Sequence, residues 1–425
     1  MKKRKIILIG AGDRGTVYAT EGKMSCPDFE IVAVADRDPV RRNYIREMFQ
    51  IPDELCFDSW EAILSKPKMA DAAIIATQDH LHFAPCMKAI ELGYDILLEK
   101  PIAPTATECI RIADAAKAKG VRVVVCFVLR YAPFFRLLKK LIAEGKVGKI
   151  INVVHMERIG HLSYAHHFVR GDWRNTEVSA PLALAKTCHD MDILQWLLDA
   201  RCTKVQSFGS LLHFCPENKP EGSPEYCVEG CPVEKSCPYS TLRIYRDRSC
   251  PTHVRTATKK HNPTDEEIMD TITHTRYGKC VYSSDNNVVD HQVFNLAYDN
   301  GATVSFTVSA FNKGGRMIRI MGTKGELYGE LKNSDHVTLY DFESKSETVY
   351  RMADEITDED SAGGHGGGDR GIIRSFCQFL AGEYQGDSIS DIETYAENHL
   401  VCFAAEESRM SDRVISMDEF KKKYR

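Results

Sequence analysis

The chain has 425 residues, 43% of them hydrophobic and 27% charged, which is enough apolar material to build two or three domains and too much for a disordered chain. Its formal net charge is −5, from 55 basic and 60 acidic residues, so no overall positive field recruits nucleic acid or an anionic membrane. No apolar run approaches the roughly 18–20 residues that cross a bilayer, and Val123–Leu129 is among the longest. Met1–Gly10 carries basic residues ahead of apolar ones, but Ile6–Ile9 is too short for the core of a signal peptide. A cytoplasmic, reducing setting is therefore expected, with most of the 15 cysteines as free thiols.

Over residues 1–128, short β-branched runs alternate with helix-length amphipathic stretches. Strands are expected at Lys5–Ile9, Glu30–Ala35, Ala72–Ala76, Asp95–Leu98 and Arg122–Phe127. Helices are expected at Gly15–Met24, Arg41–Phe49, Phe83–Glu91 and Thr105–Lys119. Such alternation predicts an α/β unit, a doubly wound parallel sheet covered by helices. The pattern changes over residues 129–425. A helix at Phe134–Glu144, a strand at Lys149–Arg158 and a helix at His189–Leu198 precede five strands between Val289 and Asp341. The turn sequences Asp299-Asn300-Gly301 and Thr323-Lys324-Gly325 predict hairpins. This reads as an α+β domain with a large, mainly antiparallel open sheet, closed by helices at Ile372–Ala381 and Ile392–Arg409 that pack back on the first domain.

Gly10-Ala11-Gly12-Asp13-Arg14-Gly15 follows the first strand and opens the first helix. Gly10 permits a tight turn, Gly12 lets a pyrophosphate approach the backbone, and Gly15 lets helix and strand pack closely; together they form the dinucleotide fingerprint of a Rossmann domain. Asp36 ends the second strand 21 residues later, where a carboxylate accepts hydrogen bonds from ribose hydroxyls. NAD is thereby favoured over NADP, although the neighbouring Arg37 could receive a 2′-phosphate. Glu99-Lys100-Pro101 sits at the carboxyl end of a further strand, where open parallel sheets bind their ligands.

Ala76-Thr77-Gln78-Asp79-His80-Leu81-His82, followed by Leu97-Leu98-Glu99-Lys100-Pro101, resembles the Gfo/Idh/MocA family of glucose–fructose oxidoreductase and inositol dehydrogenase-like sugar dehydrogenases. The likeness runs through Leu184–Leu198 to Gly322-Thr323-Lys324-Gly325. It implies NAD held by Gly10, Gly12, Asp13, Arg14, Gly15, Asp36, Arg37, Thr77, His80, His82, Glu99 and Lys100. It also implies catalysis by Lys100 and by His189, within Cys188-His189-Asp190-Met191-Asp192, as general base. An imidazole suits removal of a hydroxyl proton near neutral pH, and a lysine can donate to the developing alkoxide. The family's aspartate four residues before that histidine falls on Ala185, and Lys186 follows it, as a third candidate catalytic group or a holder of a substrate carboxylate. Arg130, Tyr131, Arg158, Trp173, Arg174 and Asp192 are candidate sugar-binding residues, with His166 and His167 in the same connecting region. His365, among the glycines of Gly363–Gly368, is expected on a mobile loop over the substrate, and Asp369 as a helix cap.

The resemblance implies an oxidoreductase acting on a sugar, polyol or sugar acid, and a homodimer or homotetramer assembled through the second sheet. A redox-neutral, NAD-using glycoside hydrolase and a non-catalytic NAD- or sugar-sensing regulator are the alternatives. The insertion at about 212–275 lies outside the family core. Cys215, Cys227, Cys231, Cys237 and Cys250 fall there within 36 residues, where an even spread would place about one. Structural zinc or an iron–sulfur cluster on those thiols, with His213 and His253 as alternative ligands, would staple a segment that lacks an apolar core of its own; reduced structural thiols and disulfides are the alternatives.

Overall fold

The computed structural model describes residues 3–260, 262–356 and 364–424. Six strands, β1 (Arg4–Ile9), β2 (Phe29–Ala35), β3 (Cys56–Phe57), β4 (Ala72–Ile75), β5 (Asp95–Leu98) and β6 (Val123–Val125), form a wholly parallel sheet in the order β3-β2-β1-β4-β5-β6. Ile6–Ile9, Ala72–Ile75 and Val123–Val125 are buried along their whole length, as strands flanked by helices on both faces must be. Strand order reverses between β1 and β4, so the carboxyl ends of these two strands flank the crevice where such sheets bind ligands.

Nine further strands make the second sheet: β7 (Ile150–Arg158), β8 (Cys202–Ser210), β9 (His291–Tyr298), β10 (Thr303–Ser309), β11 (Gly315–Gly322), β12 (Gly325–Leu331), β13 (His336–Asp341), β14 (Ser346–Arg351) and β15 (Ile415–Ser416). Their order is β14-β13-β12-β11-β7-β10-β9-β8-β15, antiparallel except where β7 meets β10. Both expected hairpins form, at 299–301 and 323–325. Strands β8, β14 and β15 were not expected from the sequence. Strand β14 is exposed along most of its length, and without a buried face it lacks the alternation that marks a strand.

The C-terminal helices fasten the two sheets together. Ile372, Ile373 and Phe376 of the helix Gly364–Ala381 share a core cluster with Ile6, Leu8 and Tyr18. In the helix Ile392–Ser411, His399 accepts a hydrogen bond from the Ile102 amide at 2.9 Å and donates to Tyr395 O at 2.9 Å. The insertion is not the unsupported loop that the sequence suggests. Ile244, Tyr245, Val254, Ala257, Ile268, Ile272 and Tyr277 form a small apolar core around the helices Pro251–Thr258 and Asp265–His274.

Three residues expected in the sugar pocket are core residues instead. Arg130 is 1% exposed and Asp192 fully buried. The guanidinium donates twice to the carboxylate, at 2.7 and 2.5 Å, and once to Ser390 Oγ at 2.7 Å; Asn398 also donates to Asp192 at 2.9 Å. All these donors and acceptors are committed inside the protein. Tyr131, likewise buried, packs its ring against Gly371 of the C-terminal helix. Asp192→Asn should therefore destabilise the fold by about 3–5 kcal/mol, because it strands a buried guanidinium. A denaturant midpoint equal to that of the parent chain, with only KM raised, would restore the substrate-binding role.

Candidate active site

The glycine turn has the geometry its sequence demands. Gly10 has φ +93°, and a side chain there would meet Ala76 O at 2.5 Å; a Cβ on Gly15 would stand 2.0 Å from Gly10 O. Around Gly12 the space is open, since a Cβ there would have Arg41 Nη1, at 3.7 Å, as its nearest neighbour. Gly12 heads the helix Asp13–Ser25 with no side-chain cap, leaving first-turn amides to an anion. Asp36 reaches back to the turn, accepting from the Ala11 amide at 2.7 Å and the Asp38 amide at 2.8 Å. A glycine cradle, uncapped amides and an acid at the end of β2 fit an adenine dinucleotide. Arg41, which belongs to no sequence motif, borders this cradle and pairs with Asp38 at 3.6 Å, while Arg37 is exposed.

Arg14 does not face the cradle. Its Nε donates to Glu99 at 2.9 Å, and Nη2 donates to Asp369 at 2.8 Å and to Tyr18 Oη at 2.8 Å. Tyr18 also donates to Glu99 at 2.6 Å, and Glu99 accepts from the Lys100 amide at 2.6 Å. Burial opposes ionisation of Glu99, but Arg14, Lys100 and the Tyr18 bond outweigh it and hold the carboxyl below its usual range. His82 is buried, with Nδ1 2.7 Å from Pro101 O and Nε2 3.1 Å from Thr77 O. Arg14, Glu99 and His82 thus build the Glu-Lys-Pro turn, in place of the direct cofactor contacts expected of them. Thr77 donates to Leu81 O at 3.2 Å, and His80 is exposed beside it.

Around Lys100 the second domain supplies the other half of the site. Lys100 Nζ donates to Ala185 O at 3.2 Å, so position 185 serves the lysine through its carbonyl, whatever its side chain. Lys186 pairs with Glu157 of β7 at 3.2 Å, and Arg316 of β11 bridges Glu157 at 2.7 Å and Asp190 at 2.8 Å. His155 holds the same Asp190 oxygen at 2.8 Å. Burial works against the Asp190 carboxylate, yet Arg316 and His155 keep it well below its usual range. His189 is 6% exposed, and its Nδ1 has no hydrogen-bond partner. Burial, then the charges of Lys100, His365, Arg316 and Lys186, push its pKa well below that of free imidazole, so it stands neutral at physiological pH with an unused ring nitrogen. Lys332, left-handed at φ 76° after β12, is pushed down by burial and by Lys186 and Arg316.

His365 is exposed, yet already sits beside His189 with ring centroids 6.1 Å apart, and bonds Asp369 at 3.0 Å. Asp369 is thereby an ion-pair partner of Arg14 and His365, not the expected helix cap. At the end of this glycine run the packing is close: a Cβ on Gly368 would stand 2.0 Å from Val128 O, so only glycine fits there, whereas Gly364, His365 and Gly366 are exposed. Ser361–Gly363 lie outside the described residues. His167 is pushed down to about 3 by burial and by His253, Lys186 and Lys100. It meets Trp173 edge-on at 5.6 Å, and Trp173 donates to Asp79 at 3.1 Å. His253, from the insertion, stacks on His166 at 4.3 Å and so joins this wall.

Further expectations do not hold. Side chains alternate along β7, so Arg158 lies on the face opposite Glu157 and pairs with Glu330 at 2.6 Å. Arg174 is committed to Asp285 at 2.7 and 3.0 Å. All fifteen cysteines are free thiols, and among the described residues no group of three or more His, Cys, Asp or Glu side chains is arranged to hold a single metal ion. Cys215 and Cys250 in particular stand apart from the cavity that Cys227, Cys231 and Cys237 line. Glu157, Arg316 and Lys332 join the site without belonging to any sequence motif. The available signal is a charged residue at an inward position of an otherwise apolar strand, visible at Glu157 once strand phase is known.

Among the described residues no helix is long and apolar enough to cross a membrane. Residues 4–127 match the family model described as oxidoreductase family, NAD-binding Rossmann fold, and residues 139–413 match that family's C-terminal alpha/beta domain. The chain is 28% identical over 357 residues to the protein YteT of Bacillus subtilis, covering 80% of each. It is 30% identical over 204 residues to the inositol 2-dehydrogenase of Acidothermus cellulolyticus, covering 48% of this chain and 56% of that one. In fold it is similar to an NAD-binding oxidoreductase from Klebsiella pneumoniae, with TM-score 0.70 and 19% identity over 98% of this chain and 99% of that one. A similar likeness, TM-score 0.69 and 15% identity over 98% and 99%, is found to an oxidoreductase from Agrobacterium radiobacter solved with NAD+, L-tartaric acid and magnesium. The glycine cradle, the Glu-Lys-Pro turn and these matches across both halves place the chain in the Gfo/Idh/MocA family of NAD-dependent oxidoreductases.

Proposed function

We propose that the protein is a dehydrogenase that oxidises a secondary alcohol of a sugar, polyol or sugar acid, with a sugar acid the preferred class. The observation that carries this reading is the buried His189, its Nδ1 unpartnered and its ring within the field of Lys100. When bound, the nicotinamide cofactor supplies the hydride acceptor. His189 removes the hydroxyl proton, and Lys100 donates a hydrogen bond to the oxygen as negative charge develops on it. Glu99, fixed by Arg14 and Tyr18, holds the Lys100 backbone at the carboxyl end of β5. NAD rather than NADP is supported by the Asp36 carboxylate at the glycine turn, which repels a 2′-phosphate.

The preference for an acid rests on charge. Lys100, Lys186 and Arg316 act on His189, and Lys332 adds its charge beside Lys186 and Arg316, against the carboxylates of Glu157 and Asp190. A substrate carboxylate would balance the remaining positive charge, with Lys186 as its first partner. Assembly as a homodimer or homotetramer is part of the same reading, supported by Val154, Phe208 and Val293 standing exposed on the outer face of the second sheet.

With a panel of paired neutral sugars and sugar acids, NADH absorbance should rise fastest with an acid. His189→Ala and Lys100→Met should each lower kcat by about 10²–10⁴-fold at unchanged NAD affinity. Lys186→Met should raise KM for the acid more than for its neutral counterpart. Turnover of glycosides with no net NADH would replace this reading by the redox-neutral one.

The pH profile offers a separate check. Because burial and neighbouring cations push the His189 pKa down, its basic form persists as pH falls through the ordinary imidazole range. The acid limb of kcat/KM should therefore lie well below about pH 6.5, and Lys186→Met, which removes one repelling charge, should move that limb upward. A limb at the ordinary imidazole pKa, unmoved by the substitution, would exclude His189 as the base.

A further inference from the structure

The amino-terminal part of the insertion holds together without a core of its own. Its regular structure between Cys215 and Tyr239 is confined to single turns at Pro216–Asn218 and Cys227–Glu229, and its apolar side chains borrow other cores, Val228 that of the insertion's helices and Phe214, Cys237 and Tyr239 that of the second domain. What lies at its centre is a cavity of about 20 Å³ lined by Cys227, Cys231, Cys237 and a cysteine from beyond the insertion, Cys280. Chain geometry fixes this meeting across the intervening insertion. Tyr226 and Lys279 form an antiparallel bridge, and the Cys280 amide donates to Glu225 O at 2.8 Å, which seats Cys280 next to Cys227. Tight turns then bring back the other two thiols, the Cys237 amide donating to Val233 O at 2.9 Å and the Glu234 amide to Cys231 O at 3.2 Å.

A second observation points to a ligand. Arg170 lines the same cavity and is fully buried. Its Nε donates to Lys279 O and its Nη2 to Tyr239 O, both at 2.8 Å, but its Nη1 has no partner. Glu234 lines the same cavity and accepts from Ser240 Oγ at 2.7 Å, but among the described ion pairs no carboxylate pairs with this guanidinium, and burying an unpaired guanidinium is expensive. Four neutral thiols packed as small hydrophobes would leave that cost in place. Four thiolates around a divalent metal, or around an iron–sulfur core, carry net negative charge and accept hydrogen bonds at sulfur.

We propose that Cys227, Cys231, Cys237 and Cys280 form a four-thiolate metal centre, with Arg170 as its buried counter-charge. The spacing favours a [4Fe–4S] cluster over zinc. One zinc ion draws its thiolates to about 2.3 Å from a single point, and among the described residues no group of three or more such side chains is arranged to hold one metal ion, whereas a cluster holds its four cysteines apart around an inorganic core. Cys215 and Cys250, which lie outside the cavity wall, take no part.

The test is metal and acid-labile sulfide analysis of the full-length chain, produced with iron and zinc supplied and purified without oxygen. About four irons with matching sulfide per chain, and visible thiolate-to-iron absorption, are expected. About one zinc per chain would support the four-thiolate site and overturn its assignment as a cluster. Cys280→Ser should lose most of the metal, while Cys215→Ser and Cys250→Ser retain it, with NAD affinity reporting that each variant is folded. A parent chain with less than about a tenth of the expected metal, or full retention in Cys280→Ser, would overturn the proposal.

Discussion

The Arg14 guanidinium joins three parts of the chain that must agree for a site to exist. It stands one residue before Gly15 in the cofactor turn, bonds Glu99 next to Lys100, and bonds Asp369 of the C-terminal helix. Each partner is oriented by a charge that water cannot screen well, since Glu99 and Asp369 are almost wholly buried. Asp369 in turn holds His365, which faces His189. The nucleotide cradle, the candidate hydrogen-bond donor Lys100 and the candidate base are thus coupled through a few charge-assisted bonds.

The electrostatics on the opposite wall follow a different rule. Arg316, Lys186 and Lys332 surround Glu157 and Asp190, and the excess of positive charge falls on the imidazoles. His189 and His167 are kept neutral by burial and by nearby cations, which is the protonation state a base needs before the reaction. Asp190, two residues before Asp192 in the same motif, serves the Arg316 network, while Asp192 serves the Arg130 core pair. One helical turn thereby supplies an electrostatic anchor and a packing anchor beside the candidate base.

The insertion serves the site as well as itself. His253 stacks on His166 and meets His167 edge-on, carrying the insertion into the wall beside Trp173. Arg170 belongs to the segment that carries His166 and His167, so the four-cysteine cavity and the active-site wall share one stretch of backbone.

Sequence by itself determined the parallel sheet, the glycine turn, Asp36, the Glu-Lys-Pro turn and the His189 helix, because each is a local pattern. A run of buried aliphatics, a glycine that alone tolerates φ +93°, or an acid at a strand end needs only its own neighbours to be read. Tertiary structure decided the partners. Arg130 and Asp192 read as sugar ligands because they are polar and lie near the motif, but 62 residues of separation hid that they satisfy each other in the core. Arg158 and Glu157 are adjacent in sequence and face opposite sides of β7, a distinction set by strand phase and sheet pairing. The sequence gathers five cysteines in the insertion, yet the cavity that Cys227, Cys231 and Cys237 line takes its fourth cysteine, Cys280, from outside it, through a backbone bridge at Tyr226 and Lys279. Charge pairing and side-chain convergence act through space, and only the folded chain shows which distant residues they join.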